Sequence, residues 1–158
     1  MALTSKIEGV LPLSIYSVLK GEHDEVAGIL KTLETVPTGQ DLLMKKLSQE
    51  LLSHAAAEQA TVYPRTEQRL KDNRLIKESK NEHEDIREWL IALSGLDLGS
   101  VEWKQELKEL EERIQHHVHE EETDLFAVMK QIFSDDEAKE LAKQFREAKD
   151  RELNLLKY

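Results

Sequence analysis

Apolar residues recur every three or four positions along most of the chain, which is the spacing of amphipathic α-helices. Four such segments fall between about residues 11 and 131, and a fifth runs from about 134 to 154. The few Gly and Pro residues cluster between the segments, and no stretch between them alternates with the period of a β-strand. Because the connections are short, the pattern predicts an all-α fold: an up-down-up-down four-helix bundle with an additional C-terminal helix.

Prolines and a candidate cap set the ends of the first two helices. The first is predicted over about 11–35, beginning near Pro12 and stopping before Pro37. Asp41 is a candidate N-cap for the second helix, because its carboxylate can accept hydrogen bonds from free backbone N–H groups. Pro64 is expected to end or kink that helix, since proline has no N–H to donate.

Similar signals delimit the other three helices. The third is predicted to open near Asn73 and to stop at Gly95, and the fourth to start after Ser100. Ser134 and Glu137 form a capping-box pattern at the start of the fifth. The predicted inner face of this fifth helix is Ala138, Leu141, Ala142, Phe145 and Ala148.

Ionisable residues interrupt the apolar face of each of the four bundle helices. They are His23, His54, Glu58, His83, His117 and Glu121. Residues four apart lie above one another on a helix face, so each His-x3-Glu pair can present both side chains to one point. Burying these groups without a partner would cost roughly several kcal/mol per unpaired charge. A partner that compensates their charge is therefore expected.

An internal repeat relates the two halves of the bundle. Residues 22–26, Glu-His-Asp-Glu-Val, match residues 82–86, Glu-His-Glu-Asp-Ile. A His-x3-Glu pair, followed after four further residues by an aromatic, occurs at residues 54–63 and again at 117–126. Two such halves facing each other predict a pseudo-two-fold site of four His and two Glu, which is a ligand set for two metal ions.

Three histidines compete for the ligand position on the fourth helix. The predicted inner face of this helix is Trp103, Leu107, Leu110, Ile114, His117, Glu121, Leu125 and Val128. His116 also has a glutamate four residues on, but it lies on a polar face. His117 shares the apolar face and reproduces the aromatic spacing of the second helix. The sequence therefore favours His117 as the ligand and predicts that His116 and His119 are solvated.

Composition narrows the class of protein. The 158 residues fit one domain, 1–158, and the formal net charge of −10 opposes binding to nucleic acid or anionic lipid. The absence of cysteine excludes disulfides, iron–sulfur clusters and thiol catalysis. The first residues lack a basic segment followed by an apolar run, and no stretch reaches the roughly 20 apolar residues of a membrane span. A cytoplasmic protein without a membrane partner is expected.

The predicted donor set also narrows the metal. Nitrogen and oxygen ligands without sulfur suit iron, manganese or zinc, and two ions sharing two carboxylates favour iron or manganese over a structural zinc. Ferritin-like bundles carry Glu-x2-His motifs. No histidine of this chain has a glutamate three residues before it, so that family is disfavoured.

The order of these motifs resembles that of hemerythrin-like HHE cation-binding domains over about residues 11–131. A helix with a single His is followed by a helix with His-x3-Glu, and this order occurs twice. Tyr63–Pro64 follows the first His-x3-Glu motif and Phe126 follows the second. The resemblance implies two non-haem iron ions joined by an oxo or hydroxo bridge, with Glu58 and Glu121 bridging them and manganese less favoured. It also implies binding or sensing of oxygen, nitric oxide or peroxide, a role in iron handling, or catalase-like peroxide breakdown.

Two departures from oxygen-carrying hemerythrins are visible. Those proteins have a further histidine one turn after the ligand of the third helix, where this chain has Arg87. They use an aspartate five residues after the fourth-helix histidine, where this chain has Glu122, with Glu121 at four. Six ligands would leave a coordination position open, which favours reactive chemistry or sensing over simple oxygen carriage. Tyr16, two turns before His23, is a candidate to reach the site.

Three functions stay open from the sequence. The chain could sense a small molecule, act as a peroxide-consuming di-iron enzyme, or be a metal-stabilised interaction module without redox chemistry. In the third case the C-terminal helix and tail would form the surface for a protein partner or a second copy of the chain.

Overall fold

The computed structural model describes residues 13–156, which are helical along most of their length. The elements are α1 (Ile15–Thr35), α2 (Gln40–Ala57), a π-helical segment (Glu58–Val62), α3 (Tyr63–Glu67), α4 (Arg74–Ser94), α5 (Val101–Glu120), a second π segment (Glu121–Leu125), α6 (Phe126–Ile132) and α7 (Asp135–Leu156). Each π segment continues directly into the helices on either side, so α2–α3 and α5–α6 are two long rods. Residues 13–156 contain no strand. The all-α bundle with an added C-terminal helix is confirmed.

Two apolar clusters fill the bundle and leave a polar layer between them. α1 packs on α2, α4 on α5, and α7 on both α1 and α2. One cluster includes Ile15, Leu19, Leu125, Met129 and the predicted inner face of α7, all of it buried. The other includes Val26, Leu30, Leu90, Leu107 and Leu110. His23 on α1 and His117 on α5 each lie between residues of the two clusters. Within the described residues, no helix is long and apolar enough for a membrane span.

One of the two caps named from the sequence is present, the capping box of α7, and Ser100 caps α5. The Ser100 hydroxyl accepts a hydrogen bond from the Trp103 N–H at 3.1 Å. The first helix begins after Ser14, whereas the predicted start near Pro12 lies outside the described residues. The prediction of Asp41 as a cap is wrong: Gly39 occupies that position with a φ of 82°, a left-handed conformation that glycine adopts without strain. Asp41 instead lies in the first turn, where the helix dipole favours a negative charge.

The π segments change the helix register in the middle of both rods. The Tyr63 N–H bonds to the Glu58 carbonyl, five residues back, where an α-helix would use the residue four back. Pro64 does not end the rod, which continues three residues further to Glu67. After the second segment Met129 is fully buried. The inner-face prediction of Val128, which is only half-buried, is therefore wrong by one residue.

The capping box at the start of α7 provides a stability test that leaves the bundle interior untouched. The Glu137 N–H bonds to the Ser134 hydroxyl and the Ser134 N–H to the Glu137 carboxylate, both at 3.1 Å. Ser134→Ala should lower the free energy of unfolding by about 1 kcal/mol in urea denaturation, because it frees an N–H of the first turn. Ser94→Ala is the control, since that exposed hydroxyl bonds only to the Ile91 carbonyl. An equal effect of both changes would contradict the prediction.

Candidate metal centre

Six ionisable side chains, from α1, α4 and the two long rods, meet in the polar layer between the apolar clusters. They are the six that the sequence predicts: His23, His54, Glu58, His83, His117 and Glu121. None is more than 8% exposed, so the cluster is buried. Both glutamates are the first residues of the two π segments. π segments of this kind occur frequently at functional sites.

Glu58 lies between a histidine of the first half of the chain and one of the second half. Its Oε1 atom is 2.7 Å from Nε2 of His54 and 3.3 Å from Nε2 of His83. The carboxylate is fully buried. This placement allows one carboxylate to contact two cations, each held by a different histidine.

Glu121 has the equivalent position between the other two histidines. Its Oε1 atom is 3.3 Å from Nε2 of His23, and its Oε2 atom is 3.3 Å from Nε2 of His117. Glu121 also belongs to two groups whose candidate ligand atoms lie within 4.8 Å of one another. The groups are Glu58, His83, His117 and Glu121, and His23, His54 and Glu121. The geometry therefore offers two adjacent cation positions that share Glu121.

The unsatisfied polar atoms of the cluster test whether a metal fits. Among residues 13–156, the buried atoms without a hydrogen-bond partner include Nε2 of His23 and His54 and both carboxylate oxygens of Glu58 and Glu121. These atoms approach one another closely but not with hydrogen-bond angles. Buried polar groups are rarely left unpaired in folded proteins, because desolvation then goes uncompensated. A divalent cation between them would satisfy nitrogen and oxygen donors together, so the residues fit a metal.

A second ring of polar contacts orients the four histidines. Each Nδ1 atom faces a side chain outside the cluster: His23 to Glu122 at 2.8 Å, His54 to Glu22 at 2.9 Å, His117 to Glu82 at 3.0 Å and His83 to Gln59 at 3.3 Å. Such contacts fix the ring so that Nε2 points at a metal, and carboxylates there also strengthen the donor. Glu122, which lies five residues after His117 and was the alternative ligand, thus belongs to this second ring.

The second ring follows the internal repeat. Glu22 and Glu82 precede the single histidines of α1 and α4, yet each contacts the histidine of the next rod. Glu122 and Gln59 follow the two buried glutamates and contact the single histidines. The pseudo-two-fold relation that the sequence predicts therefore extends beyond the six side chains, with one asymmetry, an amide in place of a carboxylate.

Protonation balances part of the buried charge. Burial lowers the pKa of His54, but the carboxylates of Glu58 and Glu22 outweigh it and raise this pKa to about 10. Burial likewise opposes the shift at His117, where Glu121 and Glu82 raise the pKa to about 10. Burial also acts to raise the pKa of Glu58, but the two nearby histidines hold it well below its usual value. Because histidine binds a metal ion as the neutral imidazole, metal binding would release these protons.

Burial distinguishes the three histidines of α5. His117 is 4% exposed, whereas the side chain of His116 is 65% exposed and contacts Glu82 and Glu120 on the surface. His119 is also exposed. Of the three histidines, only His117 lies within the buried cluster.

The tyrosine that contacts the cluster is Tyr63. The Tyr63 hydroxyl is 3.1 Å from Nε2 of His83, and the residue is fully buried. Burial and the negative charge of Glu58 raise the pKa of Tyr63 well above its usual value, so the hydroxyl keeps its proton. Tyr16 packs its ring edge-on against Phe126 at 5.3 Å. The Tyr63–Pro64 pair that follows the His-x3-Glu motif was the sequence feature that could have identified Tyr63 as the tyrosine at the cluster.

A small cavity of about 40 Å³ adjoins the four histidines. Apart from the histidines, Glu22 and Arg87, its lining is apolar: Val26, Leu51, Leu52, Ala55, Ile86, Ile114 and Val118. This volume suits a molecule of two or three heavy atoms. Arg87 stands at the position where oxygen-carrying hemerythrins have their further histidine, and its guanidinium pairs with Glu84 on the surface.

Comparison with known proteins gives consistent matches. The family model of the hemerythrin HHE cation-binding domain matches residues 14–129. A crystal structure of an HHE cation-binding-domain protein from Mycobacterium kansasii, a homologue of Rv2633c, superposes with a TM-score of 0.79 at 22% identity, covering 90% of this chain and 89% of that one. At that identity the likeness is evidence for the fold.

Two curated relatives are longer than this chain. A DNA nickase of Nostoc sp. is 23% identical over 141 residues, which are 88% of this chain and 40% of that protein. An uncharacterised hemerythrin-like protein of Schizosaccharomyces pombe is 26% identical over 102 residues, 63% of this chain and 50% of that protein. The chain thus spans half or less of the length of either relative.

Proposed function

Since this chain belongs to the hemerythrin HHE cation-binding family, a group of metal-binding helical domains, we propose that it holds two iron ions and binds or reacts with oxygen, peroxide or nitric oxide. The observation that carries the proposal is the set of buried, unpaired donor atoms on His23, His54, Glu58 and Glu121. A bound iron pair would supply the capacity to exchange electrons with a small molecule.

In this proposal the six predicted ligands divide between two ions. His83 and His117 would hold one ion, His23 and His54 would hold the other, and the two glutamates would be shared between them. The support is the position of each glutamate between histidines of opposite halves. Iron is favoured over manganese by the family resemblance, and the donor atoms suit both metals.

The protein's own groups would select the ligand and position it. The apolar cavity disfavours ions and admits small neutral molecules, since charged groups lose hydration on entering it. The protonated Tyr63 hydroxyl lies 3.1 Å from Nε2 of His83 and so borders the cluster beside one of the proposed ligands. This arrangement supports chemistry or sensing at the centre over a purely structural metal.

Nucleic acid is not part of the proposal. The nickase activity in the name of the Nostoc relative belongs to a protein of which this chain matches only 40%. A net charge of −10 repels the phosphate backbone, and affinity for DNA depends strongly on neutralising phosphates with Lys and Arg.

A cytoplasmic location, and a protein partner that binds the C-terminal helix α7, stay predictions.

Elemental analysis of freshly purified protein, with absorption spectra before and after adding peroxide, tests the proposal. We expect about two irons per chain and a spectrum that changes with peroxide. Continuous loss of peroxide would identify an enzyme, and a stable spectral change without loss would favour binding or sensing. Bound metal that responds to neither peroxide, oxygen nor nitric oxide would favour the interaction module. A protein that takes up neither iron nor manganese would contradict the proposal.

A further inference from the structure

Lys149, near the end of α7, is a buried cation on the edge of the second ring. Its side chain is 11% exposed, and Nζ lies 2.8 Å from Oε1 of Glu22 and 2.7 Å from Oε2 of Glu50. The same Glu22 oxygen is 2.9 Å from Nδ1 of His54. A continuous chain of contacts therefore runs from α7 through Glu22 to one of the predicted metal ligands.

The ammonium is charged in this setting. Burial acts to lower the pKa of Lys149, but the hydrogen bonds and charges of Glu22 and Glu50 outweigh burial and raise it. Hydrogen bonds between fully charged groups are about twice as strong as neutral ones, so Glu22 is held firmly.

A second contact from α7 reaches the same histidine. The ring of Phe145 meets the ring of His54 edge-on, with centroids 5.5 Å apart. Phe145 is fully buried and one turn before Lys149. α7 thus fixes His54 from two directions, one apolar and one through Glu22.

The other half of the centre has no such support within the part of the chain that the structure describes. Glu82, the counterpart of Glu22, bonds to His117 through Oε1. Its Oε2 atom faces the exposed ring of His116 at 3.4 Å, and no lysine or arginine pairs with it. α7 packs on α1 and α2, so the pseudo-two-fold relation is broken by this helix.

We propose that Lys149 is a positioning residue, which holds Glu22 against His54 and so sets the affinity of the metal position at His23 and His54 separately from the position at His83 and His117. The inference rests on the proposed function, since it concerns how two ions are held. It gives α7 a role at the centre, in addition to its packing against the bundle.

Stepwise loading with ferrous iron under anaerobic conditions, followed by equilibrium dialysis and elemental analysis, separates the two positions. In Lys149→Met one of the two ions should lose about tenfold in affinity, the lower end of the range for changes around metal ligands, while the other ion keeps its affinity. Lys149→Arg should restore most of the loss because it keeps the cation. Lys143→Met, an exposed lysine on the same helix, is the matched control and should bind both ions normally.

Glu22→Gln tests the route through Glu22. It should weaken the same ion, and Lys149→Met combined with Glu22→Gln should be no worse than the stronger single change, because residues in one network are not additive. Equal weakening of both ions, or a lower melting temperature of the metal-free protein with unchanged binding, would overturn the inference and leave Lys149 a structural residue. A wild-type protein that binds no iron would overturn the proposed function as well, so the two failures are distinguishable.

Discussion

Replacing Glu121 with glutamine is expected to reduce bound iron from about two ions per chain to one or none. Glu121 is the residue that both candidate ligand groups share, and its two oxygens face histidines of opposite halves. A neutral amide offers one weak oxygen donor, where the carboxylate offers two charged ones. Elemental analysis after anaerobic reconstitution with ferrous iron measures the loss.

Two controls separate loss of a ligand from loss of the fold. Glu112→Gln removes an exposed carboxylate of the same helix and should bind two ions. Metal-free Glu121→Gln should remain folded by circular dichroism, because His117 still has Glu82 at Nδ1 and the amide removes a buried charge without hydrogen-bond partners. Retention of two ions by a folded Glu121→Gln protein would contradict the predicted ligand set.

The six clustered residues were predictable because helix geometry alone determines which face they occupy. His54 and Glu58 are four residues apart and therefore lie on one face. A histidine such as His23 in the middle of an apolar stripe can only point inwards or break the stripe. The doubling of both motifs then brings the two halves to the same level of the bundle.

The π segments were not predicted, although the sequence carried a signal. Tyr63 and Phe126 lie nine residues after their histidines, which at 3.6 residues per turn is two and a half turns, on the opposite face of a regular helix. Both are buried, Tyr63 beside His83, because a π segment inserts one extra residue into the turn. An aromatic repeated on the wrong face was the evidence for a change of register.

The second ring could not be derived from sequence spacing. Glu22 and His54 are 32 residues apart, and Lys149 and Glu50 are 99 residues apart. Such pairs depend on how the rods rotate and on where α7 crosses them, which hydrophobic periodicity leaves open. The sequence established the inner face of α7, whereas its position over the His54 half had to come from the structure.

Removing the metal from the wild-type protein is expected to lower its melting temperature by about 5–10 °C at neutral pH. A ligand at 100 times its Kd stabilises the folded state by about 2.7 kcal/mol. For a chain of this size, 1 kcal/mol corresponds to about 2–4 °C. Exhaustive chelation, with metal content measured before and after, followed by thermal melting monitored by circular dichroism, tests this expectation.

The metal-free protein should still fold, because protonated His54 and His117 compensate the carboxylates of Glu58 and Glu121 in part. Its remaining weakness is the set of buried oxygens without hydrogen-bond partners, which protons on the histidines do not satisfy. Glu121→Gln, treated with the same chelator, should show little or no shift, since it has little metal to lose. A wild-type melting temperature that stays constant after complete removal of metal would mean that the buried ion pairs alone sustain the polar layer, and metal binding would then add nothing to the stability of the fold.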